Sequence, residues 1–198
     1  MTEPSIAVLR RTFGALFLLA IATICAIAHA EEIPVPIDLQ ATLLSKVVSY
    51  DRNLSERAGD KVRTLLVGKS SDPTSMPFVR QMRQMLGAIE SFGSFSHTEE
   101  IVEFASAAAL LDKCRNERIS IVYLGPGLHD DVEPIRAALE PLSILTVSAN
   151  PDDVPRGIVL GFDLVYGKPK LVVNLGQARK QRVDLVAVVL KLMRVIGI

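Results

Sequence analysis

The chain has 198 residues, room for one domain of ordinary size, and its 22 basic and 22 acidic residues leave a formal charge of +0. That balance argues against non-specific nucleic-acid binding, which needs a basic face to displace phosphate counterions. At 49% hydrophobic and 22% charged the chain is not a disordered one. With 5% aromatics and no Trp, its core has to come from Leu, Val, Ile and Ala.

The first thirty residues read as an export signal. Arg10 and Arg11 precede an apolar run over 15–28 that ends in small residues, Ala28 and Ala30, so cleavage is expected after Ala30. The run is 14 residues, short of the ~20 that a spanning helix needs. Leu9 before the arginine pair and the closely following apolar run favour the general secretory route over the twin-arginine one. Bulky Ile24 before Cys25 argues against lipidation. The expectation is an exported protein with a leader over 1–30 and a single domain over 31–198. Cleavage removes Arg10, Arg11 and Glu3, leaving 168 residues with 20 basic and 21 acidic, a net charge of −1. Cys114 is then the one cysteine, unable to form an internal disulfide, and is expected to pack as a small hydrophobe beside Leu110 and Leu111.

Helix and strand alternate along the rest. Pro34 and Pro36 lead into a helix that Asp38 is placed to cap, with Leu39, Leu43, Val47 and Tyr50 at helical spacing. Arg57-Ala58-Gly59-Asp60 reads as a polar turn, 62–67 as a strand and 69–77 as a loop. A helix carrying Val79, Met82, Met85, Leu86 and Ile89 comes next, with Ser75 a candidate cap. Then come a strand at 95–104, a helix at 106–115, a strand at 119–124, a helix at 132–139 and a strand at 143–147. Runs at 158–165 and 170–173 are joined by too short a link for a crossover, so they form an antiparallel hairpin. Asn174 can cap the segment after the hairpin, and 183–196 reads as an apolar closing helix. Crossover helices require a parallel sheet. The expected fold is α/β: a three-layer sandwich with a mostly parallel sheet and a C-terminal antiparallel hairpin followed by a helix.

No catalytic constellation survives inspection. Val67-Gly68-Lys69-Ser70 resembles the end of a nucleotide-binding loop, but Arg63 stands where the wrapping glycine is needed. His97 and His129 lack metal-ligand spacing and read as surface residues. His129 with Ser70 or Ser148 lacks a nucleophile elbow. No cofactor is indicated. Three loops at the expected carboxyl ends of the strands supply ligand-binding candidates: Ser70 and Ser71, Gly125 and Gly127, Ser148 and Asn150. Small, polar and rich in backbone donors, they suit a small polar molecule.

The closing third carries an ordered set of features. Ile144-Leu145-Thr146-Val147-Ser148 is followed by Arg156-Gly157, a hairpin ending Leu171-Val172-Val173-Asn174-Leu175, and Leu190-Lys191-Leu192-Met193-Arg194-Val195. This order resembles the YfiR-like family of periplasmic proteins, with Arg156, Gly157, Asn174 and Leu175 as its motif residues. Upstream, Gln40-Ala41-Thr42-Leu43-Leu44 and Ile121-Val122-Tyr123-Leu124 are similar more loosely. The resemblance implies a non-enzymatic signalling regulator that inhibits a membrane-bound diguanylate cyclase or a related sensor such as a kinase, and it allows a homodimer. Ile158 stands where a second glycine is usual, and the cysteine pairs of some members are missing. Leu39, Leu43 and Val47 are the expected partner-contact face, or else simply cover the sheet. The alternative function is a single-lobe periplasmic solute-binding component of a transporter or sensor system.

Overall fold

The computed structural model describes residues 33–197. The expected leader, its cleavage point and Cys25 lie outside them. The described residues all belong to one compact unit.

The chain opens with α1 (Ile37–Val48) and the short α2 (Leu54–Ala58). There follow β1 (Lys61–Gly68), α3 (Ser75–Gly87), β2 (Ser96–Glu103), α4 (Ala107–Asn116) and β3 (Ile121–Leu124). Next are α5 (Val132–Leu139), β4 (Leu145–Ser148), β5 (Leu160–Val165) and β6 (Lys168–Asn174). The described chain closes with α6 (Leu175–Lys180), α7 (Ala187–Leu190) and β7 (Arg194–Ile196). The seven strands form one sheet in the order β2-β1-β3-β4-β5-β6-β7. Pairing is parallel except between β5 and β6, where Leu160 faces Val173 and Val165 faces Lys168.

Two buried clusters place the sheet between helical layers. On one face α1 and α3 pack Leu44, Val48, Val79, Met82 and Leu86 against Tyr123, Val147 and Phe162. On the other, α4 and α5 pack Leu110, Cys114, Val132, Ile135 and Leu139 against Leu65, Val67, Val122 and Leu124. Strands β3 and β4 are buried at every position, as central parallel strands covered on both faces must be. Tyr123 is wholly buried because its hydroxyl donates to Gln40 Oε1, while Gln40 Nε2 donates to Val35 O at 2.7 Å. The sandwich and the antiparallel hairpin match expectation, and a short helix, α6, follows the hairpin. The hairpin turn is tighter than expected: Tyr166 and Gly167 both hold positive φ, the mirror-image turn whose twist suits a two-residue hairpin.

Four local expectations are corrected. Pro36, not Asp38, precedes the first helical residue, and Asp38 sits in the first turn, where its charge faces the helix dipole. Ser75 is the first residue of α3 rather than its cap, and its Oγ accepts from Lys69 N at 2.9 Å. Arg57 is no surface turn residue: it ends in a buried ion pair with Asp51. The segment 183–196 is not one helix. Leu185 bridges Asp51, α7 makes a single turn, and β7 adds to the sheet beside β6. Its valines suit a strand as well as a helix, and β6 offers an open edge that only the assembled sheet reveals.

Candidate functional site

Order β2-β1-β3 makes the junction of β1 and β3 the point where successive crossovers diverge, the usual ligand crevice of an open α/β sheet. Here the chain's own groups fill much of it. A Cβ on Gly127 would lie 2.5 Å from Asp72 Cβ, so the loops after β1 and β3 are in direct contact. Asp72 Oδ1 accepts from Thr74 Oγ1 at 2.6 Å, Thr74 N at 2.8 Å and Ser75 N at 3.2 Å. Burial alone would raise this carboxyl, but those hydrogen bonds, helped by the Lys69 charge, hold it below its ordinary value. Lys69 Nζ reaches Asp131 Oδ2 at 2.5 Å. Gly125 is buried against Val79, whose Cγ1 would lie 2.8 Å from an added Cβ. Ser70 and Ser71 are exposed.

The loop after β4 is equally committed. Ser148 is fully buried, donates to Asp153 Oδ2 at 2.6 Å and accepts from Asn150 N at 3.1 Å. Asn150 Oδ1 accepts from Asp152 N at 2.9 Å. His129 Nδ1 lies 2.6 Å from Asp153 Oδ1. Asp153 thus stands between the hydroxyl and the imidazole. A nucleophilic triad needs the imidazole in the middle, taking the hydroxyl proton. The other histidine is not on the surface: the His97 side chain is 6% exposed. It is stacked on Phe92 at 4.4 Å, with Nδ1 2.5 Å from Glu99 Oε1 and Nε2 2.8 Å from Ile89 O.

The motif residues are joints. Arg156 Nη1 donates to His129 O, tying the β4–β5 connection to the β3–α5 one. Gly157 has φ +109°, and an added Cβ would collide with Arg136 Cδ. Asn174 Oδ1 accepts from Gln177 N at 3.0 Å, capping α6, and its Nδ2 donates to Val154 O at 3.0 Å. Leu175 is half-buried against the α1–α3 core.

Of the expected contact face, Val47 is 2% exposed, whereas Leu39 and Leu43 are half-buried against the core. Leu43 also lines a groove of about 600 Å³ between α1, β6 and the α7 turn. Its other apolar walls are Val47, Tyr50, Pro169, Leu171, Val189 and Leu192. Tyr50 and Leu192 are 45% and 68% exposed, an apolar surface left uncovered. Sequence reasoning missed all of this but Leu43 and Val47. The walls come from three distant segments, and the one available signal was the surplus of apolar residues at 188–192.

The fold, a mostly parallel sheet between helical layers, is shared by solved structures of distant sequence. An L-Trp-bound ABC domain from Streptococcus pneumoniae superposes with TM-score 0.58 at 12% identity, covering 81% of this chain and 62% of that one. A conserved domain protein from Vibrio cholerae gives 0.52 at 13% identity, covering 81% and 60%. The ligand-free, open CD0873 substrate-binding protein of Clostridium difficile, described as having adhesive properties, gives 0.52 at 9%, covering 73% and 57%. The chain therefore spans about three fifths of these proteins' length, and at such identities the likeness is one of fold. No curated protein matches its sequence. The chain belongs to the YfiR/HmsC-like family, whose model matches residues 38–194. That is a family of periplasmic regulators.

Proposed function

We propose that this protein is exported to the periplasm and there regulates a membrane-bound sensor, a diguanylate cyclase or kinase, by touching its outer domain. Family membership supports the regulatory class. The observation that carries contact as the mechanism is the uncovered apolar wall formed by Leu43, Tyr50 and Leu192. Such a surface gains free energy when a partner removes it from water. Docking only on the sensor's inactive form, by a few kcal/mol, shifts the population away from output without any bond being made or broken.

The strand-end loops support a solute-binding role less well. Ser148, Asn150 and Asp72 spend their hydrogen-bonding groups on the protein itself. Deleting the gene in its host and measuring cyclic di-GMP tests the regulatory reading. Cyclic di-GMP rises if the protein is an inhibitor, and an unchanged level rejects that role.

A further inference from the structure

We infer that the groove between α1, β6 and the α7 turn binds a single-chain anionic amphiphile, an aliphatic carboxylate with its tail along the groove and its head on Lys46. The volume of about 600 Å³ is on the scale of small-molecule sites, roughly 300–1,000 Å³. The walls have the composition of such a site. Aliphatic side chains dominate, Ser49 and Tyr50 add hydroxyls, and Lys46 is the single charged residue among those lining it.

Charge selects the ligand class. Among the described residues no carboxylate lines the groove, and Lys46, exposed on the last turn of α1, has no ion pair. An apolar trough with one unpaired ammonium at its side complements a tail that ends in an acid. A cationic amphiphile would place like charges together. The shape matters as well. The trough is walled by α1 on one side and by β6 and the α7 turn on the other, and the tail is placed along these apolar walls.

This inference leaves the regulatory reading standing by itself, but one consequence rests on it. Carboxylate and sensor would cover the same apolar wall, so the ligand releases the sensor.

Calorimetric titration of the purified protein with sodium decanoate and sodium dodecanoate, both kept monomeric, tests the site. Expected is saturable 1:1 binding. Each added methylene should strengthen it about fourfold, equivalent to about 0.8 kcal/mol, so dodecanoate should bind about 16-fold tighter. Lys46→Glu, on an exposed position that leaves the circular dichroism unchanged, should weaken binding at least tenfold. Dodecyltrimethylammonium should not compete. Absence of saturable binding, equal binding of the cation, or indifference to Lys46→Glu would overturn the inference. A rise of cyclic di-GMP on gene deletion together with no carboxylate binding removes the ligand alone. Carboxylate binding with no change on deletion confirms the site and removes the regulatory reading.

Discussion

Arg57 is held against Asp51 with the two side chains 1% and 0% exposed, and the same Asp51 carboxylate reaches the backbone of Asp184, far along the chain. Asp51 Oδ1 accepts from Asp184 N at 2.9 Å and Asn53 N at 3.1 Å, while Oδ2 takes the guanidinium. Arg52 N donates to Asp184 O at 2.9 Å and Val186 N to Tyr50 O at 3.0 Å. The α7 turn, one wall of the apolar groove, therefore hangs between this clamp and β7.

Asp51→Ala should strand a guanidinium inside the protein and cost about 3–5 kcal/mol, because a buried charge without its partner carries its full desolvation penalty. Replacing both residues, as Asp51→Ala with Arg57→Met, should recover much of the loss. Urea midpoints of the three proteins measure it. A single-variant loss below about 1 kcal/mol would mean the pair is solvated after all.

Cys114 is buried on α4, and burial pushes its thiol up to about 12, with the Glu117 charge adding to the effect. The folded state thus holds the proton more tightly than an unfolded thiol near 9.0. This contribution to stability is complete below pH 9 and declines toward pH 12. At pH 8 the native protein should react with a thiol reagent only through unfolding, whereas the urea-unfolded chain reacts at once. Rapid labelling of the native form would contradict the buried placement.

Gly157→Ala should destabilise the domain by about 1–3 kcal/mol, since a side chain there is strained at positive φ. It also collides with Arg136. Gly87→Ala, where nothing lies within 4 Å of an added Cβ, serves as the control and should be neutral or stabilising. Thermal midpoints separate the two. Equal behaviour would remove the steric reason for glycine at the Arg156-Gly157 joint.

Asp72 should titrate below 3.8, the hydrogen bonds from Thr74 and Ser75 outweighing the cost of its partial burial. Its contribution to the β1–α3 loop is present above 3.8 and is lost only as pH falls through the lowered value. Carboxyl-carbon NMR of the wild type gives the value, and Thr74→Ala should move it upward. A value at or above 3.8 in the wild type would show that the loop bonds do not form in solution.

Much of the fold was legible because central parallel strands announce themselves. Residues 62–67 and 119–124 are unbroken β-rich runs ended by Gly68 and Gly125. The segment after 183 was not legible. Val183, Val186, Val188 and Val189 fit helical and extended spacing alike, and the free edge of β6 that settles Val195 into a strand is a property of the assembled sheet. Buried charge was equally hidden: in sequence Arg57 has the look of a turn residue, and only the Asp51 carboxylate folded against it explains its place. The strand-end loops could be located from their glycines, but not the fact that Asp72 and Asp153 occupy their hydrogen bonds. The groove could not be located at all, since Leu43, Leu171 and Leu192 meet only in three dimensions.

Leu192→Asp gives the most direct measurement, because this side chain is 68% exposed and its replacement should leave the fold intact. In a deletion strain, cyclic di-GMP is measured after complementation with the wild-type or variant gene. Regulation through the apolar wall requires that the wild type lower cyclic di-GMP while the variant, accumulating to the same level and equally folded, leaves it high. Full restoration by Leu192→Asp, or no effect of the deletion itself, would contradict it.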